Sequence, residues 1–227
     1  MPRTPDDSRF LKACRSEPTD VTPVWFMRQA GRYLPEYRAL RQKHSLLELC
    51  HKPELAAQIT LQPVERLRVD AAILFADILL PFEPLGLGLS FAVGEGPQIT
   101  RPIREAGQVL ELPPVDPASD LAYVMDAAQA AARALPPHVP LIGFAGAPFT
   151  LASYAIEGGT SRDFTRTKAF MLSEPAAWKR LLTKLGTVQA DYLLAQAGAG
   201  AQALQVFDSW AGRALGRDDY LRYVAPH

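Results

Sequence analysis

Two arginines, Arg28 and Arg32, stand four residues apart in the segment Arg28-Gln29-Ala30-Gly31-Arg32, directly after an apolar run. A guanidinium group is planar and donates two parallel hydrogen bonds to one carboxylate, a geometry that lysine does not offer. Two such groups placed around a glycine can converge on an acidic ligand. The segment therefore predicts an anion-binding loop. The alternative is that both arginines pair with surface acids such as Glu36.

One acidic residue, Asp77, lies in a strongly apolar context, between Phe75 and the run Ile78-Leu79-Leu80. An ionised carboxylate in an apolar cleft is costly unless hydrogen-bond donors or cations face it. Asp77 is therefore the candidate acid for a ligand that supplies such donors. The alternative is a structural role, as the N-cap of a helix that follows the second apolar run.

Two hydroxyl groups follow later apolar runs. Tyr154 comes after the glycine-containing turn 143–150, which would let backbone approach a ligand closely. The alternative for Tyr154 is a position in the core. Ser209 belongs to Asp208-Ser209-Trp210-Ala211-Gly212, which lacks the G-x-S-x-G pattern of a nucleophile. Ser209 is therefore predicted to be a binding hydroxyl.

The remaining polar residues carry weaker signals. A serine hydrolase requires a histidine base, and His44, His51 and His138 all fall in helical or loop tracts, as surface or capping histidines do. The loop Gly158–Arg162 could bind an anion, but it is equally typical of a simple turn. We assign it no catalytic role.

Four short apolar runs are predicted to be the strands that position these residues. Each run is continuous, as is typical of strands that are buried on both faces of a parallel sheet. The runs are Val24–Met27, Ala71–Phe75, Pro140–Phe144 and Ala203–Phe207. The candidate site residues come after these runs.

Helical patterns separate the runs, and prolines or capping residues mark where the helices begin. The predicted helices are a short one capped at Thr4-Pro5-Asp6-Asp7, Pro35 to Lys43, Pro53 to Leu67, one capped by Ser119-Asp120 that ends near Leu135, and Pro175 to about Gln196. The stretch 81–114 is rich in glycine and proline and is predicted to be an inserted hairpin or a long loop.

Strands that alternate with helices indicate an α/β fold built from parallel βα units. Two architectures fit this pattern, an open doubly wound sheet and the first half of a (β/α)8 barrel. Only four strands occur by residue 207, which is too slow a pace for eight strands by residue 227. The pace therefore argues against a complete eight-stranded barrel, and the open sheet and the first half of a barrel both stay open on the residues alone.

The composition argues against several classes of partner. The 24 basic and 24 acidic residues cancel, which does not favour nucleic-acid binding. The longest apolar stretch, Ala71 to Phe82, is interrupted by Asp77 and Pro81 and is too short for a membrane span. The first residues lack a secretory or transit pattern, so we expect a cytoplasmic protein with no membrane partner. Cys14 and Cys50 lie far apart and predict reduced thiols and no metal site.

The segment from Pro23 to Tyr37 closely resembles the first signature of the uroporphyrinogen decarboxylase family, and Gly143 to Gly159 resembles its second. The segments Phe75–Leu79 and Phe207–Gly212 also match the family in residue type and order, so the resemblance extends from about residue 5 to the end. It implies a (β/α)8 TIM barrel that forms a homodimer, in which residues 1–227 are a single domain that covers the first four βα units and is truncated at its C-terminus. It also implies decarboxylation of the four acetate side chains of uroporphyrinogen III to give coproporphyrinogen III in haem biosynthesis, without metal or cofactor.

The resemblance also implies roles for individual residues. The segment of Arg28, Gln29, Ala30, Gly31 and Arg32 would bind the acetate and propionate groups. Asp77 would lie under the macrocycle, accept hydrogen bonds from the pyrrole N–H groups and stabilise the pyrrole once it is protonated. Tyr154 and Ser209 would complete the polar contacts. A histidine that the family carries late in its chain lies beyond the residues present here.

Two other interpretations remain open. One is a truncated, inactive fragment of the same family that still binds the porphyrinogen. The other is a zinc-dependent methyltransferase of related fold, but such a site requires Cys and His ligands at strand ends. The two cysteines at positions 14 and 50 do not meet that requirement.

Overall fold

The computed structural model describes residues 8–91 and 96–227, so the helix cap predicted at Thr4–Asp7 lies outside the described residues. The described elements, in chain order, are α1 (Arg9–Cys14), α2 (Pro35–Lys43), α3 (Leu46–Cys50), α4 (Pro53–Leu67), β1 (Ala72–Ile73), β2 (Leu89–Phe91), β3 (Pro97–Ile99), α5 (Ala106–Glu111), α6 (Pro117–Asp120), α7 (Ala122–Ala134), β4 (Leu141–Gly146), α8 (Pro148–Glu157), α9 (Thr165–Ser173), α10 (Pro175–Gly198), β5 (Ala203–Phe207), α11 (Ala211–Ala214) and α12 (Arg217–Tyr223).

The chain forms two compact units. The first unit contains the described residues up to Asp77 together with 122–144 and 193–205, and the second contains 78–121, 145–192 and 206–227. The single domain expected over residues 1–227 stays a prediction. No helix within residues 8–91 and 96–227 combines the length and the hydropathy that a membrane span requires.

Three strands form a sheet in the order β1-β4-β5. β1 pairs with β4 in parallel, with Ala72 opposite Leu141 and Ile73 opposite Ile142. All six residues of β4 are buried, as its continuous apolar sequence predicts. The strand predicted at Ala203–Phe207 is confirmed with the same bounds, and the third predicted strand lies one to two residues further along, as β4.

The strand predicted at Val24–Met27 is wrong, because these residues belong to no strand of the described sheets. The side chains of Phe26 and Met27 are 52% and 57% exposed, whereas a strand in the middle of a parallel sheet buries both faces. The segment bonds instead to the residues before β1, since Asp70 N–H donates to Val24 O at 2.8 Å. A continuous apolar run does not distinguish a buried strand from an exposed apolar loop.

The helix predictions are confirmed where a proline marks the first turn. α2 and α4 have the predicted bounds, and each has proline at its first position. The cap predicted at Ser119-Asp120 is wrong, because the Asp116 side chain accepts from Ala118 N–H and begins α6 earlier. The helix is interrupted at Leu121, so two helices, α6 and α7, replace the single predicted one.

The second unit contains the inserted hairpin that the glycine- and proline-rich stretch predicts. β2 and β3 pair antiparallel, with Ser90 opposite Gln98. Gly88 has φ +68°, and a Cβ there would lie 2.2 Å from Thr100 Oγ1, so only glycine fits where β2 begins. The core of this unit includes Phe149 and Trp178, whose ring centroids are 6.0 Å apart.

Candidate active site

The two arginines of the predicted anion-binding loop are exposed. Within residues 8–91 and 96–227, no ion pair involves Arg28 or Arg32, and Glu36 pairs with Arg66 at 3.2 Å instead. The alternative in which Glu36 neutralises these arginines is therefore not realised. Two guanidinium groups remain available to an anion from solution.

Gln29 holds this loop in place through its side chain. The residue is 1% exposed, its Nε2 donates to Ala71 O at 3.2 Å, and its Oε1 accepts from Phe26 N–H at 3.2 Å. The Tyr33 hydroxyl also donates to Gln29 O. The side-chain amide thus ties the loop to the residue before β1. Binding of the substrate by Gln29 itself stays a prediction.

Gly31 and Ala30 let the loop pack closely. A Cβ at Gly31 would lie 2.7 Å from Tyr33 Cε1 and 3.2 Å from Arg28 O, so a larger residue would displace the tyrosine ring. Ala30 packs against a buried group that we call the anchor cluster, formed by Leu34, Tyr37, Leu49 and Ile59. The loop is therefore fixed between two points, β1 and the anchor cluster.

Asp77 follows β1 in the first unit and is partly buried. Two residues earlier, Phe75 packs against the same anchor cluster, with its ring centroid 5.7 Å from that of Tyr37. Both the arginine loop and the segment that leads to Asp77 thus pack against the anchor cluster. Burial also raises the pKa of the Tyr37 phenol, which stays neutral at pH 7.

The N-cap alternative for Asp77 is not supported by the helix that follows. The 3₁₀ turn Leu80–Phe82 has Leu79 as its N-cap residue and no side-chain cap hydrogen bond. Asp77 stands two residues before that position. Asp77 is therefore not the N-cap residue of this turn.

Tyr154 and the segment of Ser209 come together in the second unit. The ring of Tyr154 on α8 lies 4.1 Å from the ring of Trp210, measured between centroids, and Phe164 lies 5.0 Å from Trp210. Tyr154 and Trp210 are both partly buried, and Ser209 is exposed. Tyr154 is therefore not enclosed in the core, and the binding roles of Tyr154 and Ser209 stay predictions.

Asp208 organises this second group of residues, and the sequence reasoning did not give it that role. Its Oδ1 accepts from the Thr150 hydroxyl at 2.8 Å and from Ala211 N–H at 3.3 Å. These bonds join the first turn of α8 to the turn that carries Ser209. The signal in the sequence was an aspartate in the turn before a short helix, where its carboxylate can accept from main-chain N–H groups a few residues further on.

Arg104 supports the other end of α8. Its guanidinium donates to Ile156 O and, at 3.5 Å, to Glu157 O, so it satisfies carbonyl groups at the end of the helix. Burial lowers the pKa of Arg104, but an arginine with so high an ordinary pKa stays charged. Arg104 therefore holds the helix that carries Tyr154.

The histidines at positions 51 and 138 lie at the protein surface. His51 packs edge-on against Tyr123 with centroids 4.5 Å apart, and His138 is exposed. The part of the chain that the structure describes contains no group of three or more His, Cys, Asp or Glu side chains that would hold a metal ion. Neither Cys14 nor Cys50 forms a disulfide with another of the described residues.

Comparison with known proteins identifies the family. The family model described as uroporphyrinogen decarboxylase (URO-D) matches residues 5–227. The chain belongs to the uroporphyrinogen decarboxylase family. This match includes both the arginine loop and the segments of Asp77, Tyr154 and Ser209.

Curated relatives support the assignment to the uroporphyrinogen decarboxylase family. The chain is 56% identical over 223 residues to the uroporphyrinogen decarboxylase of Solibacter usitatus, covering 98% of this chain and 64% of that protein. It is 57% identical over 219 residues to that of Sorangium cellulosum, covering 96% and 62%. The chain thus spans less than two thirds of the length of these relatives.

A solved structure of low sequence identity has a similar fold. A methyltransferase from Methanosarcina mazei superposes with a TM-score of 0.77 at 20% sequence identity, covering 96% of this chain and 63% of that one. At this identity the likeness concerns the α/β fold alone. It gives no support to the methyltransferase interpretation.

Proposed function

We propose that the protein to which this chain belongs decarboxylates the four acetate side chains of uroporphyrinogen III to give coproporphyrinogen III. The observation that carries this proposal is the arginine loop, because Arg28 and Arg32 are exposed, have no ion-pair partner among residues 8–91 and 96–227, and are fixed at both ends. A substrate with eight carboxylates supplies the anions that such a loop lacks. Membership of the family supports this choice of substrate.

The reaction requires an electron sink for the bond that breaks. Protonation of a pyrrole ring carbon makes an iminium cation. The bond between the methylene and the carboxylate carbon then breaks, carbon dioxide leaves, and the bond pair neutralises the iminium. The methylene takes up a proton and the ring returns its own, so one proton replaces one carbon dioxide.

We assign the electrostatic role in this step to Asp77. A carboxylate has about four lone-pair sites, so it suits converging pyrrole N–H donors. Its negative charge stabilises the cationic pyrrole relative to the neutral one, and preorganised charge of this kind is usually the largest contribution to catalysis. The arginines serve in binding, because a guanidinium group holds its proton too tightly to act as a proton donor.

The second group contributes hydroxyl donors in this proposal. Tyr154 and Ser209 would hydrogen-bond to polar groups of the substrate, and Trp210 would offer an apolar ring face beside Tyr154. Asp208 keeps the turn of Ser209 attached to α8 through Thr150. No step of the proposed reaction passes through a metal or an organic cofactor.

We also propose the assembly that the family resemblance implies. The chain would supply the N-terminal βα units of a (β/α)8 barrel, and the whole protein would be a cytoplasmic homodimer without nucleic-acid or membrane partners. The parallel pairing of β1 with β4 is compatible with such a barrel, although Val24–Met27 forms no strand among the described residues.

The test is an anaerobic assay with uroporphyrinogen III, in which products are oxidised to porphyrins and separated by their number of carboxylates. We expect the protein at the length of its curated relatives to form coproporphyrinogen III through products with seven, six and five carboxylates. No loss of carboxylates would overturn the proposal. Tight binding without turnover would favour the alternative, a porphyrinogen-binding protein that is inactive.

A further inference from the structure

The hydrogen-bond ladder between β1 and β4 ends early. Leu74 N–H donates to Ile142 O at 3.0 Å, which is the last rung among the described bonds between these strands. A residue in a parallel ladder bonds to two residues of the partner strand, so the next bonds would join Phe144 N–H to Leu74 O and Ala76 N–H to Phe144 O. Phe144 has a different partner, and the chain leaves the sheet before it reaches Asp77.

A side chain takes the place of those bonds. Gln196 of α10 is 0% exposed, its Oε1 accepts from Phe144 N–H at 2.9 Å, and its Nε2 donates to Phe144 O at 2.9 Å. The amide thus satisfies both main-chain groups that a neighbouring strand would otherwise bind. Gly143 leaves room for it, because a Cβ there would lie 2.9 Å from Gln196 Oε1.

A second side chain binds the departing segment on the other side. Phe75 N–H donates to the hydroxyl of Thr60 at 2.9 Å, and that hydroxyl donates to Ala56 O on α4 at 2.8 Å. Thr60 is also 0% exposed. The first residue after the last rung is therefore bonded to a helix and not to a strand.

We propose that Thr60 and Gln196 are positioning residues for Asp77. Gln196 occupies the main-chain N–H and C=O of Phe144, so the chain after Leu74 cannot extend its hydrogen bonding to β4. Thr60 holds that chain against α4 and the anchor cluster. Without them, residues 75–77 would be free to pair with Phe144, and Asp77 would be carried along. The functional part of this inference rests on the proposed role of Asp77 toward the substrate.

The first experiment observes Asp77 without any ligand. The carboxyl signal of Asp77, assigned through Asp77→Asn, is titrated by nuclear magnetic resonance in the chain of residues 1–227. We expect Thr60→Val and Gln196→Met to shift its titration curve, and Thr60→Ser to restore it because the hydroxyl is kept. Thr167→Val is the matched control, since this threonine is also 0% exposed and loses a hydroxyl bond, to Glu157 in the second unit.

The second experiment measures affinity for uroporphyrinogen III under anaerobic conditions. We expect Thr60→Val to weaken binding about tenfold, and to weaken it no further when Asp77 is already Asn, because coupled residues are not additive. Thr167→Val should leave the affinity unchanged. Equal losses with and without Asp77 would mean that Thr60 acts on the fold in general, and would overturn the proposal.

The two experiments separate this inference from the proposed function. If the unsubstituted chain and its full-length relatives bind no uroporphyrinogen, the proposed function fails, and the Asp77 titration still decides the positioning role. A titration curve that is the same in Thr60→Val, Gln196→Met and Thr167→Val would overturn that role even if the substrate binds. A shift in the first two variants alone supports it.

Discussion

Arg28 and Arg32 are available to a ligand because the side chains of other residues hold their loop in place. Gln29 holds the loop to Ala71, and Ala30 packs on the anchor cluster, so neither arginine is needed to keep the loop in place. Side chains with no role in folding can be replaced at little cost to stability. Substitutions at these two arginines should therefore affect binding far more than folding.

The prediction for the arginines follows directly. Arg32→Lys keeps the charge but loses the planar pair of donors, so we expect affinity for uroporphyrinogen III to fall about tenfold, with a urea midpoint unchanged. Arg38→Lys is the control, as another exposed arginine, on α2. Unchanged affinity in Arg32→Lys would remove this residue from the site.

For Asp77 the prediction concerns turnover. Asp77→Asn keeps the shape and removes the charge, so in a protein at the length of its relatives we expect the rate to fall at least about 100-fold. The measurement is the steady-state rate of carboxylate loss, compared with Asp126→Asn, an exposed acid on α7. A nearly normal rate would contradict the electrostatic role.

Among the secondary-structure elements, β4 depends on a glycine. A Cβ at Gly143 would lie 2.9 Å from Gln196 Oε1 and 3.1 Å from the Cβ of Ala201, and that oxygen is already bonded to Phe144. We expect Gly143→Ala to destabilise the protein by about 1–3 kcal/mol through overpacking. Urea unfolding measures this. Gly107→Ala, where nothing lies within 4 Å, should be neutral or stabilising.

A pH effect belongs to the attachment of α1. Arg9 binds both carboxylate oxygens of Asp20, at 2.6 and 2.7 Å, and this bond lowers the pKa of Asp20 to about 2. Because the pKa is lower in the folded state, the stabilisation is complete above the ordinary pKa of 3.8 and is lost as the pH falls towards about 2.

The measurement is the urea midpoint as a function of pH over this window. We expect the midpoint to fall more steeply in the unsubstituted chain than in Asp20→Asn, which has no carboxylate to protonate. Since Asp20 is exposed, added salt should reduce the difference. Parallel curves for the two proteins would show that this ion pair adds nothing to stability.

At the scale of the whole molecule, the exposed edge of the sheet determines whether the chain self-associates. β5 is the last strand in the order β1-β4-β5, and its residues Leu204 and Val206 are 45% and 50% exposed. An exposed apolar strand edge promotes pairing with another chain. We expect residues 1–227 expressed alone to self-associate in size-exclusion chromatography, and Val206→Lys to shift the elution towards the monomer.

The control for this prediction is an exposed leucine on a helix. Leu110 on α5 is 66% exposed, so Leu110→Lys removes a similar apolar surface without charging the strand. Its elution should match that of the unsubstituted chain. A monomeric unsubstituted chain would contradict the prediction.

Local patterns in the sequence were enough for several elements. Proline at the first turn fixed where α2 and α4 begin, and the apolar run 203–207 predicted β5 with its correct bounds. The charged candidate residues could also be recognised from the sequence, because arginine and aspartate are unusual beside apolar runs. Local predictions of this kind succeed because periodicity, capping and composition act within a few residues.

What the sequence could not decide depends on partners far along the chain. The apolar run at 24–27 became an exposed segment because its bonds go to Asp70 and to the amide of Gln29. Where β1 ends, Phe144 is bonded by Gln196, which lies 52 residues away in the sequence, and Phe75 N–H is bonded by the hydroxyl of Thr60.

The sequence by itself determined the family, the helices that begin at proline and the residues suited to bind an acidic substrate. Only the tertiary structure decided which side chains hold those residues in place. The physical reason is that a glutamine or threonine has many available partners in an unfolded chain. Burial selects one of them, since a buried polar group must be hydrogen-bonded.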